Sequence, residues 1–178
     1  MSLREPVKVI ADILQSEMAI TQGQIMLGYQ KWGIPENSKL YVALSYISGK
    51  AIAVGNDAIS NGSDPDNGMT EQQSVTMHHL IQIDLLAFNK QDGSNEARTR
   101  KEEVIMALRS LAAQAAMEVN NLQIARIPGQ FSDVSSVEET AFVQRFTMTI
   151  AVTSLHVKEK AVADYYNTFR DPEVHLNA

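Results

Sequence analysis

The stretch FVQRFTMTIAVTSLHV, residues 142–157, decides the fold class of this chain. Its apolar side chains recur at every second position, and mostly polar or small residues stand between them. A period of two places the two sets on opposite faces of a β-strand. The polar face, which includes Arg145 and several threonines, suits a wet surface or a neighbouring subunit. The predicted core face carries Phe142, Phe146, Met148, Ile150 and Val152.

Three further segments are predicted to be strands. LYVALSYIS, residues 40–48, alternates in the same way, and TMHHLIQIDLLAF, residues 76–88, carries apolar residues on both faces. LQIARI, residues 122–127, is predicted to be a short strand. A strand that is apolar on both faces is expected to be central in its sheet or covered on both sides.

Helical spacing of apolar residues appears in three other places. Residues 5–19 form an amphipathic pattern with Pro6 in the first turn. Residues 96–118 predict one long helix of about 34 Å. KEKAVADYYNTF, residues 158–169, predicts a last helix with Val162, Tyr165, Tyr166 and Phe169 on one face.

This order of elements predicts an α+β fold. We expect a single domain over residues 1–178, with a mostly antiparallel or mixed sheet of about four strands and helices packed on one face. Residues 55–75 lack periodicity and are rich in Gly, Asn, Asp and Ser. They predict a long loop, and loops of that length tend to be functional or mobile. Residues 170–178 are expected to form a tail.

Composition restricts the classes of function. The chain has 178 residues, a formal net charge of −6 and no cysteine. The charge argues against broad phosphate binding, and the lack of cysteine excludes thiol catalysis, disulfides and Cys-ligated metals. We expect no signal peptide, because charges run throughout the first 20 residues. No apolar run reaches the about 18 residues of a membrane span, so we expect a cytoplasm-like setting.

The adjacent histidines His78 and His79 raise the question of a metal or proton-transfer site. Neighbours in a strand point to opposite faces, so the two rings are not expected to bind one metal from this strand. Asp84 shares a face with His78 but lies about 20 Å along the strand. Glycine-rich phosphate loops, a nucleophile elbow and a complete EF-hand pattern are also missing from the sequence. We therefore predict no enzyme activity and no cofactor.

Two clusters leave alternatives open. Arg98, Arg100 and Lys101 form a small basic group that is either a solvated helix start or a contact with an anion or another subunit. The aromatic residues of 165–169 are either core packing or a dock for a neighbouring subunit, since aromatic side chains often anchor interfaces.

The whole pattern resembles the tail-terminator or neck (head-to-tail joining) proteins of tailed bacteriophages. The resemblance covers roughly residues 5–170 and rests on patterns of strands and helices, not on catalytic signatures. It is carried by IMLGYQKWGIPENSKLYVALSY (25–46), VTMHHLIQIDLLAF (75–88) with the Ala-rich helix after it, ETAFVQRFTMTIAV (139–152) and ADYYNTF (163–169).

The resemblance implies a structural subunit of a hexameric ring in the virion, assembled in the host cytoplasm. Such a ring ends polymerisation of the tail tube and joins the tail, with its tube and sheath, to the connector or neck proteins. DNA would pass through it without specific binding, and no membrane is involved. If the long loop over residues 55–75 lines the channel, Asp57, Asp64 and Asp66 would give the channel an acidic rim. Candidate subunit-contact residues are Arg98, Arg100, Arg145, Tyr165, Tyr166 and Phe169.

Two other functions compete with the terminator role. A connector, tube or baseplate subunit would share the same subunit shape and differ only in its position in the particle. A small metal-dependent or hydrolytic enzyme would use His78 or His79, and bound metal would reveal it.

Overall fold

The computed structural model describes residues 4–28, 39–59, 70–89, 96–138 and 141–161. Within these ranges the chain forms an α+β fold with one mixed sheet. The helices are α1 (Pro6–Glu17), α2 (Glu96–Arg109) and α3 (Leu111–Val119). The strands are β1 (Ile25–Leu27), β2 (Leu40–Ile59), β3 (Thr70–Asn89), β4 (Leu122–Arg126), β5 (Ser132–Asp133), β6 (Ser136–Glu138) and β7 (Ala141–Ala161).

The sheet is built around three long strands. Its order is β1-β2-β3-β7-β4, and the short strands β5 and β6 also pair with β7. β1 runs parallel to β2, and every other described pair is antiparallel. All four predicted strands are therefore present. The described part of the sheet has seven strands and not about four, because the short strands β1, β5 and β6 were not predicted.

The described helices cover one face of one half of the sheet. α1 begins at Pro6, and its apolar stripe is buried from Val7 to Leu14. Its stripe packs with α2, α3 and alternate residues of the long strands into a single core. The innermost strand residues of this core include Leu44, Ile81, Ile83 and Ile150. Phe146, Met148, Ile150 and Val152 are buried in this core, which confirms the predicted core face of β7 at these positions.

The predicted helix over residues 96–118 is wrong in one respect. It is divided into α2 and α3 at Ser110, whose side-chain oxygen accepts a hydrogen bond from the Ala113 N–H at 3.0 Å. A serine that caps a new helix takes extended backbone angles, which interrupts the preceding helix. The apolar spacing continues across the break, so periodicity alone did not indicate it.

The predicted loop over residues 55–75 is also wrong at both of its ends. Residues 55–59 belong to β2 and residues 70–75 to β3, and Asp57 lies opposite Gln72 in a regular ladder. Backbone hydrogen bonds hold these residues although both faces are wet, and a strand with no apolar face gives no periodic signal. Asp57 is therefore a strand residue, whereas Asp64 and Asp66 lie outside the described residues.

The predicted last helix cannot begin at residue 158, because β7 continues to Ala161. Its antiparallel pairing with β3 extends to the partners Ala161 and Thr70, so the ladder determines the conformation there. Tyr165, Tyr166, Phe169 and the tail over 170–178 lie outside the described residues. None of the described helices is long and apolar enough to cross a membrane.

Candidate assembly surfaces

Beyond the helices, the three long strands continue as an arm. We define the arm as residues 47–59 of β2, 70–77 of β3 and 155–161 of β7, which remain hydrogen-bonded to one another. None of its described side chains is buried, in contrast to the other half of the same strands. At about 3.3 Å per residue, the β2 portion spans about 40 Å. A ribbon of this length buries little within its own subunit.

Both outer strands of the arm are open edges in the described sheet. β1 covers β2 only from Val42 to Leu44, and β4 covers β7 only up to Ser154. Among the described residues, each outer strand pairs past these points only with β3, apart from one hydrogen bond from the Leu155 N–H to the Asn121 carbonyl. Unpaired N–H and C=O groups along an edge strand can pair with another chain. The arm therefore offers two different edges for contact.

The arm also exposes large apolar side chains. Val54 is 75% exposed, and the ladder between β2 and β3 skips Ile47 and Ile52, so both isoleucines sit at irregularities of an edge strand. On β7, Leu155 and Val157 are exposed as well. Grouped exposed apolar residues on a folded chain commonly mark an interaction surface. Irregularities on an edge strand also reduce indiscriminate pairing.

A hydrogen-bonded histidine network lies where the arm joins the core. The Tyr46 hydroxyl lies 3.2 Å from His79 Nδ1, and His79 Nε2 lies 2.8 Å from Ser154 Oγ. Ser154 Oγ lies 3.0 Å from Nε2 of His156. His79 and Ser154 are both buried. The network therefore ties β2, β3 and β7 together at the root of the arm.

Gly49 makes room for this network. A Cβ atom at this position would overlap the Tyr46 hydroxyl and lie 3.1 Å from His79 Nδ1. Tyr46 is half exposed, so it could move aside only by giving up its hydrogen bond to His79. Glycine at position 49 thus keeps both ring nitrogens of His79 paired.

Replacing Ser154 with alanine is expected to lower the free energy of unfolding by about 1–3 kcal/mol, because a buried imidazole nitrogen loses its partner. Urea denaturation followed by circular dichroism measures the change. Thr149→Ala, at an exposed position of the same strand, is the matched control and should change stability by less than about 0.5 kcal/mol. Equal effects of the two substitutions would contradict the network's structural role.

The free energy of unfolding is expected to decrease as the pH is lowered, because of His79. Burial lowers the pKa of His79 below its ordinary value of 6.5, and the nearby His156 and His78 lower it further. As pH falls below 6.5, the unfolded chain binds this proton before the folded chain does, so the free energy of unfolding decreases. His79→Gln should flatten this decrease as the pH falls below 6.5, whereas His78→Gln should keep the larger part of it, because burial is the main cause of the lowered pKa. Denaturation series at several pH values provide the test, and parallel curves for the parent chain and His79→Gln would contradict it.

The histidine network also bears on the enzyme alternative. His79 and His78 point to opposite faces, since His79 is buried against the core and His78 lies between Lys50 and Thr153 on the other face. Ser154 is only 3% exposed, so its hydroxyl is closed to a substrate in this conformation. Among the described residues there is no group of three or more His, Asp or Glu side chains arranged to hold a metal ion.

Arg145 lies on the sheet face opposite the helices and holds a buried carboxylate. Its Nη2 and Nε donate to Asp84 at 3.0 and 3.3 Å, and the amide of Gln82 donates to both Asp84 oxygens. The Asp84 side chain is 5% exposed and that of Arg145 is 44% exposed. Arg145 is therefore paired within its own subunit, and only the outer part of its guanidinium is open to another chain.

In the basic cluster at the start of α2, Arg100 and Arg98 have different surroundings. Arg100 Nη2 donates to the Met18 carbonyl at 2.7 Å and binds Glu103 at 2.7 Å. The hydrogen bond to Glu103 raises the pKa of Arg100. Arg100 thus ties α2 to the end of α1, whereas Arg98 is exposed. Of the two arginines, Arg98 is the more open to a partner.

Sequence reasoning missed the arm and the Ser154–His79 contact for a common reason. Both depend on the register of β3 against β7, where His79 lies opposite Val152. The two segments are 75 residues apart at the hydrogen bond, and no local pattern indicates which residues meet. The alternation in residues 142–157 could have placed Ser154 on the core face, but not beside a particular histidine.

No protein-family model matches this chain, and no curated protein sequence matches it either.

Proposed function

We propose that this chain is a structural subunit of a bacteriophage tail terminator, forming a ring, six-membered as the resemblance implies, at the head-proximal end of the tail. The observation that carries the proposal is the arm. About one sixth of the chain forms this ribbon, which has two open edges and exposed apolar residues. Such a ribbon adds little to the core of its own subunit and is suited to contact with other chains.

A ring imposes requirements that the arm can meet. Subunits related by rotation use two different patches that fit each other, because the contact is heterologous. The arm offers unlike edges, one on β2 with two irregularities and one on β7 without them.

Loss of the gene in the phage that encodes it tests the terminator role directly. We expect tails of uncontrolled length that fail to join heads, and addition of the purified protein should restore length control. Electron microscopy of negatively stained particles measures the tail lengths. Tails of normal length in the absence of the protein would contradict the proposal.

The arm equally suits a connector, tube or baseplate subunit, which is the second candidate function. Only the position of the protein in the particle separates these roles, and labelling it in intact virions would show that position. The enzyme alternative is tested by metal analysis of the purified protein. A tightly bound metal in stoichiometric amount, lost on His78→Ala or His79→Ala, would support the enzyme and weigh against a purely structural role.

A further inference from the structure

The outer face of α3 is apolar and uncovered. Only Ala113 and Met117 of this helix are buried. Leu111 is 83% exposed and Val119 is 79% exposed, and Ala115 lies between them at helical spacing. A helix that is apolar nearly all round is normally covered on both sides. We refer to Leu111, Ala115 and Val119 as the α3 stripe.

A shallow groove runs beside the α3 stripe. It lies between α1 and α3, has a volume of about 150 Å³, and is lined on the α3 side by Ala112 and Ala116. Asp12 and Glu17 of α1 stand along its other side. Small residues along a groove let a second helix approach closely and leave space for large side chains between the two helices. The surface therefore suits an aromatic helix more than a flat sheet.

The chain itself contains a segment of this chemistry. Residues 162–169 lie outside the described residues, but their sequence predicts a helical face of Val162, Tyr165, Tyr166 and Phe169. At 1.5 Å per residue that face is about 10 Å long, and the α3 stripe is about 12 Å long. Aromatic side chains that fill apolar grooves are the commonest anchors of protein interfaces.

The position of Ala161 decides which copy of α3 this segment reaches. The N–H of Leu155 donates to the carbonyl of Asn121 at 3.1 Å, so the end of α3 lies beside Leu155 in the same subunit. From Leu155 to Ala161 the strand advances about 20 Å away from that point. A helix that began after Ala161 and ran straight back toward Leu155 would place Phe169 about 12 Å from Ala161. That is less than the about 20 Å that separates Ala161 from the end of α3. Such a helix would therefore fall short of its own α3 stripe.

We propose that residues 162–169, carried at the tip of the arm, dock on the α3 stripe of a neighbouring copy of this chain. This inference rests on the proposed ring function and names its subunit contact. The arm tip supplies one patch and α3 the complementary patch, which is the heterologous pairing that a closed ring requires. It would also give the aromatic residues 165, 166 and 169 a role in a subunit contact.

Disulfide trapping tests the contact, because the chain has no cysteine of its own. Leu111→Cys and Phe169→Cys are prepared as separate full-length proteins with tags of different mass, mixed and oxidised. We expect the mixed disulfide to exceed, by at least about tenfold, that formed between Phe169→Cys and Thr149→Cys, because docking raises the effective concentration of the two thiols. Thr149 is an exposed control on the opposite face of the sheet. A yield no higher than this control would overturn the proposal.

The chain carrying both cysteines separates contact within a subunit from contact between subunits. Docking on a neighbour predicts a ladder of covalent oligomers after oxidation, whereas an intrachain disulfide in a monomer would overturn the proposal. Light scattering of the parent protein measures its oligomeric state, and so tests the ring separately from the contact with α3. Closed rings without the mixed disulfide would refute this contact and leave the ring intact. A mixed disulfide with covalent chains that never close would support the contact and refute the ring.

Discussion

Replacing Ile81 with alanine is expected to lower the free energy of unfolding by about 2–5 kcal/mol. Ile81 is fully buried between β2 and β7 under the helices, so the lost side chain leaves a cavity. Ile52→Ala removes the same atoms from the arm, where half of the side chain is exposed, and should cost less than about 0.5 kcal/mol. Denaturant titration of the two variants makes the comparison. If Ile52→Ala cost as much as Ile81→Ala, the arm would belong to the subunit's own core and not to an interface.

Val54→Asp is expected to weaken assembly strongly while leaving the subunit folded. Val54 is the most exposed of the large apolar residues described on the arm. Burying a carboxylate there against another chain costs well over 1.4 kcal/mol, so the dissociation constant should rise at least about tenfold. Sedimentation at several protein concentrations measures the dissociation constant, and circular dichroism checks the fold.

Gln123→Asp is the matched control for this prediction. It introduces the same charge at an exposed position of β4, in the half of the sheet that the helices cover. Assembly should be retained in this variant. Equal weakening by both substitutions would mean that added negative charge, and not the arm, opposes assembly.

Periodicity predicted the elements that bury one face against a core. The alternating residues around Ile150 and the helical stripe of α1 gave strong signals, because each pattern reflects a boundary between apolar and wet surroundings. The arm gave no such signal, since both of its faces are open and its regular ladder depends on backbone hydrogen bonds. Residues around Asp57 therefore resembled a loop, although they continue β2.

The candidate site was predictable only in part. The sequence placed His78 and His79 on opposite faces, which agrees with the burial of His79 against the core. The partners of His79 come from two other strands, and their meeting depends on a register that no single segment encodes.

The sequence did not indicate the outward face of α3 for another reason. Leu111 and Ala115 fit the spacing of a core stripe, and only the break at Ser110 turns them outward.

A reconstruction of the intact phage particle by electron cryomicroscopy tests the central claim most directly. We expect a closed ring of this subunit between the tail tube and the head connector, with each arm in contact with the neighbouring copy. Density for the subunit elsewhere in the particle, or a ring in which every arm stands free of its neighbours, would contradict it.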